Sequence, residues 1–147
     1  SAFKSSSAMA LSATSRWDAA MADCPIVAIL RGLEPANAVA VGTALVESGL
    51  RVLEVPLNSP QALDSIRLIS KHVPDDVVVG AGTVLSPEEV EQVAAAGGCL
   101  VVSPNFDEAV IRKTKELGLV SLPGVCTPSE AFNALRCGAD GLKAFPG

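Results

Sequence analysis

The chain has 147 residues, of which 49% are hydrophobic and 18% are charged, and its formal net charge is −5. This length and composition predict one globular domain with a sizeable core and argue against an intrinsically disordered protein. The negative charge disfavours a nucleic-acid partner or an acidic membrane surface, and no apolar run approaches the roughly 18 residues that a membrane-spanning helix needs.

The first 23 residues differ in composition from the rest of the chain. Residues 1–16 are rich in serine and alanine, with two cations and no acid. That composition is compatible with the tail of an organellar transit peptide, although a disordered leader, or upstream sequence read through before Met9, fits at least as well. We predict a disordered or leader segment over 1–23, one barrel-type domain over 24–147 and a cytoplasmic location, with organellar targeting as the alternative.

From Ile26 onward the chain repeats one unit, an apolar β-branched run followed by a turn signal and an amphipathic helical stretch. The apolar runs start roughly 20 to 26 residues apart, which is the spacing of βα units. Because the runs are apolar throughout, they are typical of parallel strands covered on both faces. The predicted strands are 26–30, 51–55, 77–81, 99–103, 119–122 and 141–145.

Helix start and stop signals separate these strands. Pro35 suits the first turn of one helix, and Ser59 with the following proline opens the next. Ser86 and Thr127 each stand three residues before a glutamate, which is the capping-box pattern. Glycines supply the stop signals, at Gly49, Gly97, Gly98, Gly118 and Gly138. Both a (β/α)₈ barrel and an open doubly wound sheet are built from such units, and spacing alone does not separate them.

A residue unusual for a structural strand lies within or directly after each predicted strand. Barrels build their active sites from residues at the C-terminal ends of successive parallel strands, so this placement favours the barrel. The residues are Arg31, Glu54, Thr83, Pro104, Pro123 and Lys143.

Lys143 and Glu54 carry the most chemistry. A lysine within an apolar strand loses solvation, which we expect to lower its pKa, and a neutral amine can attack a ketone to form a Schiff base. That chemistry needs a group that moves protons, and Glu54, also within an apolar strand, is the candidate. The structural alternative is a buried Lys143–Glu54 ion pair without chemistry, which would stabilise the fold only weakly.

Two further strand ends carry candidate binding groups. The guanidinium group of Arg31 can donate two hydrogen bonds to a substrate carboxylate. The alternative interpretation is a surface arginine at a strand end without a binding role. The glycine-rich segment before Thr83 matches no nucleotide-binding motif, so it permits close backbone approach or forms a plain tight turn. The four cysteines match no zinc-site spacing and the chain has one histidine, so the sequence predicts neither a metal nor a cofactor.

Four segments together resemble the KDPG/KHG aldolase family. They are AILRG at 28–32, EVPLNSP at 54–60, GAGTVL at 80–85 and LKAFP at 142–146, and the match runs in order from about Pro25 to Gly147. Segment 54–60 is more similar to the 2-keto-3-deoxy-6-phosphogalactonate branch of the family. The phosphogluconate branch typically has an arginine at the position of Asn58 that helps to hold the pyruvate carboxylate, a role that would fall here on Arg31.

The resemblance implies a metal-free class I aldolase that cleaves a phosphorylated 2-keto-3-deoxy sugar acid to pyruvate and D-glyceraldehyde 3-phosphate. Lys143 would form the Schiff base and Glu54 would be the acid/base. Arg31 and Thr83 would contact the substrate, and Pro104 would line the pocket. The family also implies a homotrimer of (β/α)₈ barrels.

A barrel of this type has eight strands, and the sequence predicts six. We therefore expect a fragment of a longer chain, with open edges at its first and sixth strands and without the family's phosphate-binding loops. Such a fragment would be a weak aldolase by itself. Two other readings stay open: a non-catalytic half-barrel that binds a partner, and an open doubly wound sheet that binds a small molecule.

Overall fold

The computed structural model describes residues 11–147, which form six helices and seven strands that alternate except for two successive strands before the last helix. The elements are α1 (Ala13–Asp23), β1 (Val27–Ile29), α2 (Pro35–Glu47), β2 (Val52–Pro56), α3 (Ala62–His72), β3 (Val78–Gly82), α4 (Pro87–Ala95), β4 (Leu100–Val102), α5 (Glu108–Glu116), β5 (Val120–Leu122), β6 (Gly124–Val125), α6 (Pro128–Arg136) and β7 (Lys143–Ala144). Each predicted strand is present: β2 and β3 keep the predicted length but begin and end one residue later, and the other four are shorter than predicted.

Strands β1 to β5 form one parallel sheet in which each strand pairs with the next strand along the chain. An open doubly wound sheet reverses its strand order partway, whereas a barrel keeps it sequential. The observed order confirms the barrel-type interpretation. Every residue of β2 to β5 is buried, as expected of strands that are covered on both faces.

Strand β6 continues the line of β5 beyond Pro123, a continuation that the sequence did not predict. It pairs in parallel with β7, so that Gly124 lies opposite Lys143. The two outer edges of this curved series, on β1 and on β7, pair with no other strand within residues 11–147. The described residues therefore supply six strand positions of an unclosed barrel, as predicted.

The capping signals are mostly confirmed. Ser86 accepts a hydrogen bond from the Glu89 amide, and Thr127 forms a complete capping box with Glu130. The prediction that Ser59 opens α3 is wrong, because that helix begins at Ala62. The Ser59 hydroxyl instead accepts a hydrogen bond of 3.0 Å from the Gly32 amide and so joins the loops after β1 and β2.

Helix α1 corrects the prediction of a disordered or leader segment for residues 13–23. Ser12 caps this helix, whose buried residues Ala13, Trp17 and Ala20 share one face and pack in the main core. The helix contacts β2, β3 and β5. Because it packs against several strands at once, it is part of the folded domain. Residues 1–10 lie outside the described part of the chain. Within residues 11–147, no helix is both long and apolar enough to cross a bilayer.

Replacing Trp17 tests whether α1 belongs to the core. Its side chain is only 9% exposed, so Trp17→Ala should lower the free energy of unfolding by about 3–5 kcal/mol. Asp18→Ala, on the exposed side of the same helix, should change it by less than about 0.5 kcal/mol. Urea unfolding followed by circular dichroism measures both variants, and equal stabilities would contradict the packing of α1.

Candidate active site

Lys143 and Glu54 line the same cavity. Its volume is about 300 Å³, and apolar side chains from α1 and from several strands form most of its wall. Glu54 points into it from the middle of β2, and Lys143 from the first residue of β7. The wall also includes Trp17, Met21, Val27, Ile29, Val102 and Leu122. A nucleophilic amine and a carboxyl group thus share one mainly apolar space.

The Glu54 side chain is buried at 3% exposure. Burial raises the pKa of its carboxyl group above the ordinary value, and the positive charges of Lys143 and Arg31 offset part of that rise. Burial thus favours the protonated form of the Glu54 carboxyl group, whereas the charges of Lys143 and Arg31 favour its ionised form. That balance suits a group that both gives and takes a proton.

Gly82, at the end of β3, makes room for the Glu54 carboxyl group. A Cβ atom built on this glycine would overlap Glu54 Oε1. Pro56 on β2 pairs with Gly82, so the strand register brings the glycine close to the carboxylate. The close approach of the Glu54 side chain from the neighbouring strand therefore explains why Gly82, the second glycine of the segment GAGT, has no side chain.

Lys143 is half-buried, and its amine lies against an aromatic ring. Its Nζ is 4.5 Å from the centroid of the Phe145 ring, a distance at which the ring attracts a positive charge. Among the ion pairs within 4.0 Å that the described side chains form, none joins Lys143 to Glu54. The amine is thus not engaged in the close ion pair that the structural alternative requires.

Arg31 lies at the end of β1, beside the cavity rather than in it. It is exposed and lines a separate, wider depression of about 550 Å³ between β1 and α2. Its Nη1 lies 3.5 Å from Asn58 Oδ1 across the loops that follow β1 and β2. Its charge nevertheless acts on Glu54, so a substrate that extends out of the cavity towards this loop would meet a cation.

Thr83 and Pro104 follow the C-terminal ends of β3 and β4, and neither is among the residues that line the cavity. Thr83 has a φ of +56°, which is strained for a β-branched residue and is characteristic of functional sites. Pro104 approaches the neighbouring backbone so closely that a Cβ atom on Gly124 would overlap its carbonyl group. The structure thus places Arg31, Thr83 and Pro104 just after the C-terminal ends of their strands and brings only Lys143 and Glu54 into one cavity.

The sequence interpretation missed two residues of the wall, Trp17 and Met21, because both were assigned to the leader segment. The signal was present: Ala13, Trp17 and Ala20 are spaced at helical intervals and are the buried residues of α1. Within residues 11–147, no cluster of histidine, cysteine or carboxylate side chains has the arrangement needed to hold a metal ion.

The fold and the cavity together define a parallel α/β barrel-type domain with a lysine and a carboxyl group in an apolar site. The family model described as KDPG and KHG aldolase matches residues 17–147. The chain therefore belongs to the KDPG and KHG aldolase family.

Relatives in this family are closely similar to the chain. A probable 2-dehydro-3-deoxy-6-phosphogalactonate aldolase of Rhizobium meliloti is 50% identical over 83% of this chain and 58% of the relative. The 2-dehydro-3-deoxy-6-phosphogalactonate aldolase of Escherichia coli is 45% identical over 83% of this chain and 60% of the relative. The chain thus spans about 60% of the length of the curated relatives it matches.

Solved structures agree with this assignment. A native KDPGal structure superposes with a TM-score of 0.81 at 45% identity, covering 84% of this chain and 60% of the other. A KDPG aldolase from Legionella pneumophila, with pyruvate captured as a covalent carbinolamine, gives a TM-score of 0.78 at 31% identity. That comparison covers 87% of this chain and 62% of the other.

The contact between Gly82 and Glu54 can be tested with a double-mutant cycle. Gly82→Ala should lower the free energy of unfolding by about 1–3 kcal/mol, because the added methyl group overlaps the carboxyl group. In a Glu54→Ala background, Gly82→Ala should lower the free energy of unfolding by clearly less, since the overlapping carboxyl atoms are gone. Urea unfolding of the four proteins measures the coupling, and an equal cost in both backgrounds would contradict the contact.

The raised pKa of Glu54 predicts a pH-dependent stability difference. The folded state holds this proton more tightly than the unfolded chain, so folding loses stability as pH rises from about the ordinary value of 4.5 through the folded-state pKa. Glu54→Gln should therefore be more stable than the native chain at neutral pH, and the gain should vanish below pH 4.5.

Thermal melting from pH 4 to pH 8 measures this difference. Glu88→Gln is the matched control, because hydrogen bonds lower the pKa of Glu88 and its neutralisation should therefore destabilise the fold at neutral pH. If Glu54→Gln gained no stability at neutral pH relative to acid pH, the assigned cost of burying Glu54 would be wrong.

Proposed function

We propose that the chain carries the catalytic centre of a class I aldolase. In this proposal it cleaves a 2-keto-3-deoxy-6-phospho sugar acid to pyruvate and D-glyceraldehyde 3-phosphate. The observation that carries the proposal is the placement of the Lys143 amine and the Glu54 carboxyl group on the wall of one apolar cavity. Membership in the aldolase family supports it.

The reaction begins when the neutral Lys143 amine attacks the C2 ketone of the substrate. Glu54, protonated at the start, moves one proton from the nitrogen to the carbinolamine oxygen and then gives that oxygen its own proton. The oxygen leaves as water, which leaves a cationic iminium on Lys143 and a carboxylate on Glu54. The bond between C3 and C4 then breaks as its electrons move to the iminium nitrogen, and the C4 hydroxyl proton passes to the Glu54 carboxylate. The aldehyde product leaves an enamine on Lys143.

The second half of the reaction returns the enzyme to its first state. The Glu54 carboxyl group returns a proton to C3 of the enamine, and water then adds to the iminium and gives one proton to the Glu54 carboxylate. The carbinolamine passes its hydroxyl proton to the nitrogen as the C–N bond breaks, which releases pyruvate and the free amine. The ring of Phe145, 4.5 Å from Lys143 Nζ, favours positive charge at this nitrogen and so stabilises the iminium as well as the ammonium.

The remaining predicted site residues take binding roles in this proposal. Arg31 binds the pyruvate carboxylate from the end of β1, held in place by Asn58. Thr83 contacts the substrate through its hydroxyl group, and Pro104 shapes the pocket. The strained backbone at Thr83 supports a functional rather than a structural reason for its conformation.

The galactonate form of the substrate is the finer part of the proposal. It is supported by relatives of 50% and 45% identity that are named 2-dehydro-3-deoxy-6-phosphogalactonate aldolases, compared with 38% for the Escherichia coli KHG/KDPG aldolase. Assembly as a homotrimer is a further proposal, which the family resemblance alone supports.

Borohydride trapping with pyruvate tests the proposal. The native chain should gain the mass of one reduced pyruvate adduct, located on Lys143 by peptide mapping, and Lys143→Met should gain none. Glu54→Gln should form the adduct about 100-fold more slowly, because a positioned acid or base contributes at least that much to proton transfer.

Lys71→Met is the matched control, because Lys71 is an exposed lysine at the end of α3, away from the cavity. This variant should be trapped at the native rate. A folded native chain that formed no adduct, or an adduct on another lysine, would refute the proposal and favour a half-barrel that only binds.

A further inference from the structure

The connection between α6 and β7 is held by one carboxylate. Asp140 Oδ2 accepts a hydrogen bond of 2.8 Å from the Ser121 amide and one of 2.6 Å from Lys115 Nζ. The amide of Asp140 donates in turn to the Ser121 carbonyl at 3.0 Å. The Asp140 side chain is only 13% exposed, so these bonds form largely away from water, where they are stronger.

These contacts end a hydrogen-bond ladder that runs directly to Lys143. The Lys143 amide donates to the Pro123 carbonyl at 2.9 Å, and the Phe145 amide donates to the Val125 carbonyl at 3.1 Å. Both donors and acceptors there advance by two residues, as in a regular parallel pair.

The step from Asp140 to Lys143 is irregular. The donors advance by three residues while the acceptors, from Ser121 to Pro123, advance by two. One extra residue is therefore accommodated at Gly141 and Leu142. Gly141 fits there because it lacks a Cβ atom, which would lie 2.8 Å from Leu122 Cδ2.

The irregular step matters because strand side chains alternate between two faces. A shift of β7 by one residue would turn the Lys143 side chain away from the cavity that it shares with Glu54. Strand β7 is two residues long and pairs with β6 alone within residues 11–147, so its own ladder resists such a shift only weakly. The bonds at Asp140 add the missing constraint.

We propose that Asp140 is a positioning residue that fixes the register of β7 and thereby aims Lys143 into the cavity. Its carboxylate takes the place of a strand carbonyl group as the acceptor for the Ser121 amide, and Lys115 neutralises its charge. The effect on catalysis rests on the proposed function of Lys143, whereas the effect on register stands independently of it.

Two substitutions separate this role from that of a simple ion pair. Asp140→Asn keeps an oxygen of the same reach for the Ser121 amide but loses the charge. Asp140→Glu keeps the charge for Lys115, but its longer side chain no longer places the oxygen on the Ser121 amide. A register role predicts that Asn is tolerated and Glu is harmful, and an ion-pair role predicts the reverse.

The first measurement is the rate of borohydride trapping of pyruvate in the chain. Asp140→Glu and Asp140→Ala should lower the rate at saturating pyruvate about tenfold or more, since hydrogen bonds to charged groups are among the stronger ones. Asp140→Asn should stay within about threefold of the native rate. The pyruvate concentration for half-maximal trapping should stay unchanged, because Arg31 is not displaced.

The second measurement needs no substrate. Amide hydrogen exchange at Lys143 and Phe145 should become faster in Asp140→Glu and stay slow in Asp140→Asn, while exchange in β1 to β4 is unchanged. Asp107→Ala is the matched control, because it removes a carboxylate that accepts a hydrogen bond of 3.1 Å from the Val110 amide at the start of α5. It should alter neither measurement at β7.

The two measurements keep the proposals apart. Slow trapping and fast exchange in Asp140→Glu, with near-native behaviour of Asp140→Asn, support the positioning role. Native trapping and exchange in a folded Asp140→Glu protein overturn it, as does a harmful Asp140→Asn combined with a tolerated Asp140→Glu. If the native chain is not trapped at all, the proposed function fails and the exchange data alone decide the role of Asp140.

Discussion

The arrangement of the site depends on the in-order parallel pairing of β1 to β5 and its continuation through β6 to β7. Parallel strands direct all their C-terminal ends to one edge, so each βα loop adds its side chains to the same region. Register then determines which side chains enter the interior. Glu54 opposite Gly80 and Lys143 opposite Gly124 are consequences of that register.

The cavity places a carboxyl group where it is costly, and the surrounding residues reduce that cost only partly. Gly82 leaves space for the Glu54 carboxyl group, and the charges of Lys143 and Arg31 oppose the effect of burial on its pKa. A structural ion pair would neutralise the charge at short distance, yet Lys143 and Glu54 form no such pair. A site that keeps its acid and its amine apart retains both for a substrate.

The sequence predicted the strands and most helix caps, because these follow from local patterns. It also predicted that Lys143 and Glu54 share one site, because an ionisable residue within an apolar strand is conspicuous in the sequence. Apolar runs and capping residues report on their own segment. The sequence-based prediction failed where a contact with a residue far away in the chain determines the local structure. Ser59 is a residue type that commonly caps helices, but its hydroxyl group accepts a hydrogen bond from the Gly32 amide in the loop after β1. Trp17 looked like part of a leader because the strands that bury it come later in the chain.

Asp140 shows the same limit in the site itself. Between a glycine-ended helix and an apolar strand, an aspartate is typical of a turn, and no local pattern points to Ser121 nineteen residues earlier. The short strand β7 carries Lys143, yet its backbone pairing alone gives it few hydrogen bonds. In the proposal above, the orientation of Lys143 therefore depends on a contact made outside its strand, and the lysine and the residue that positions it belong to different segments.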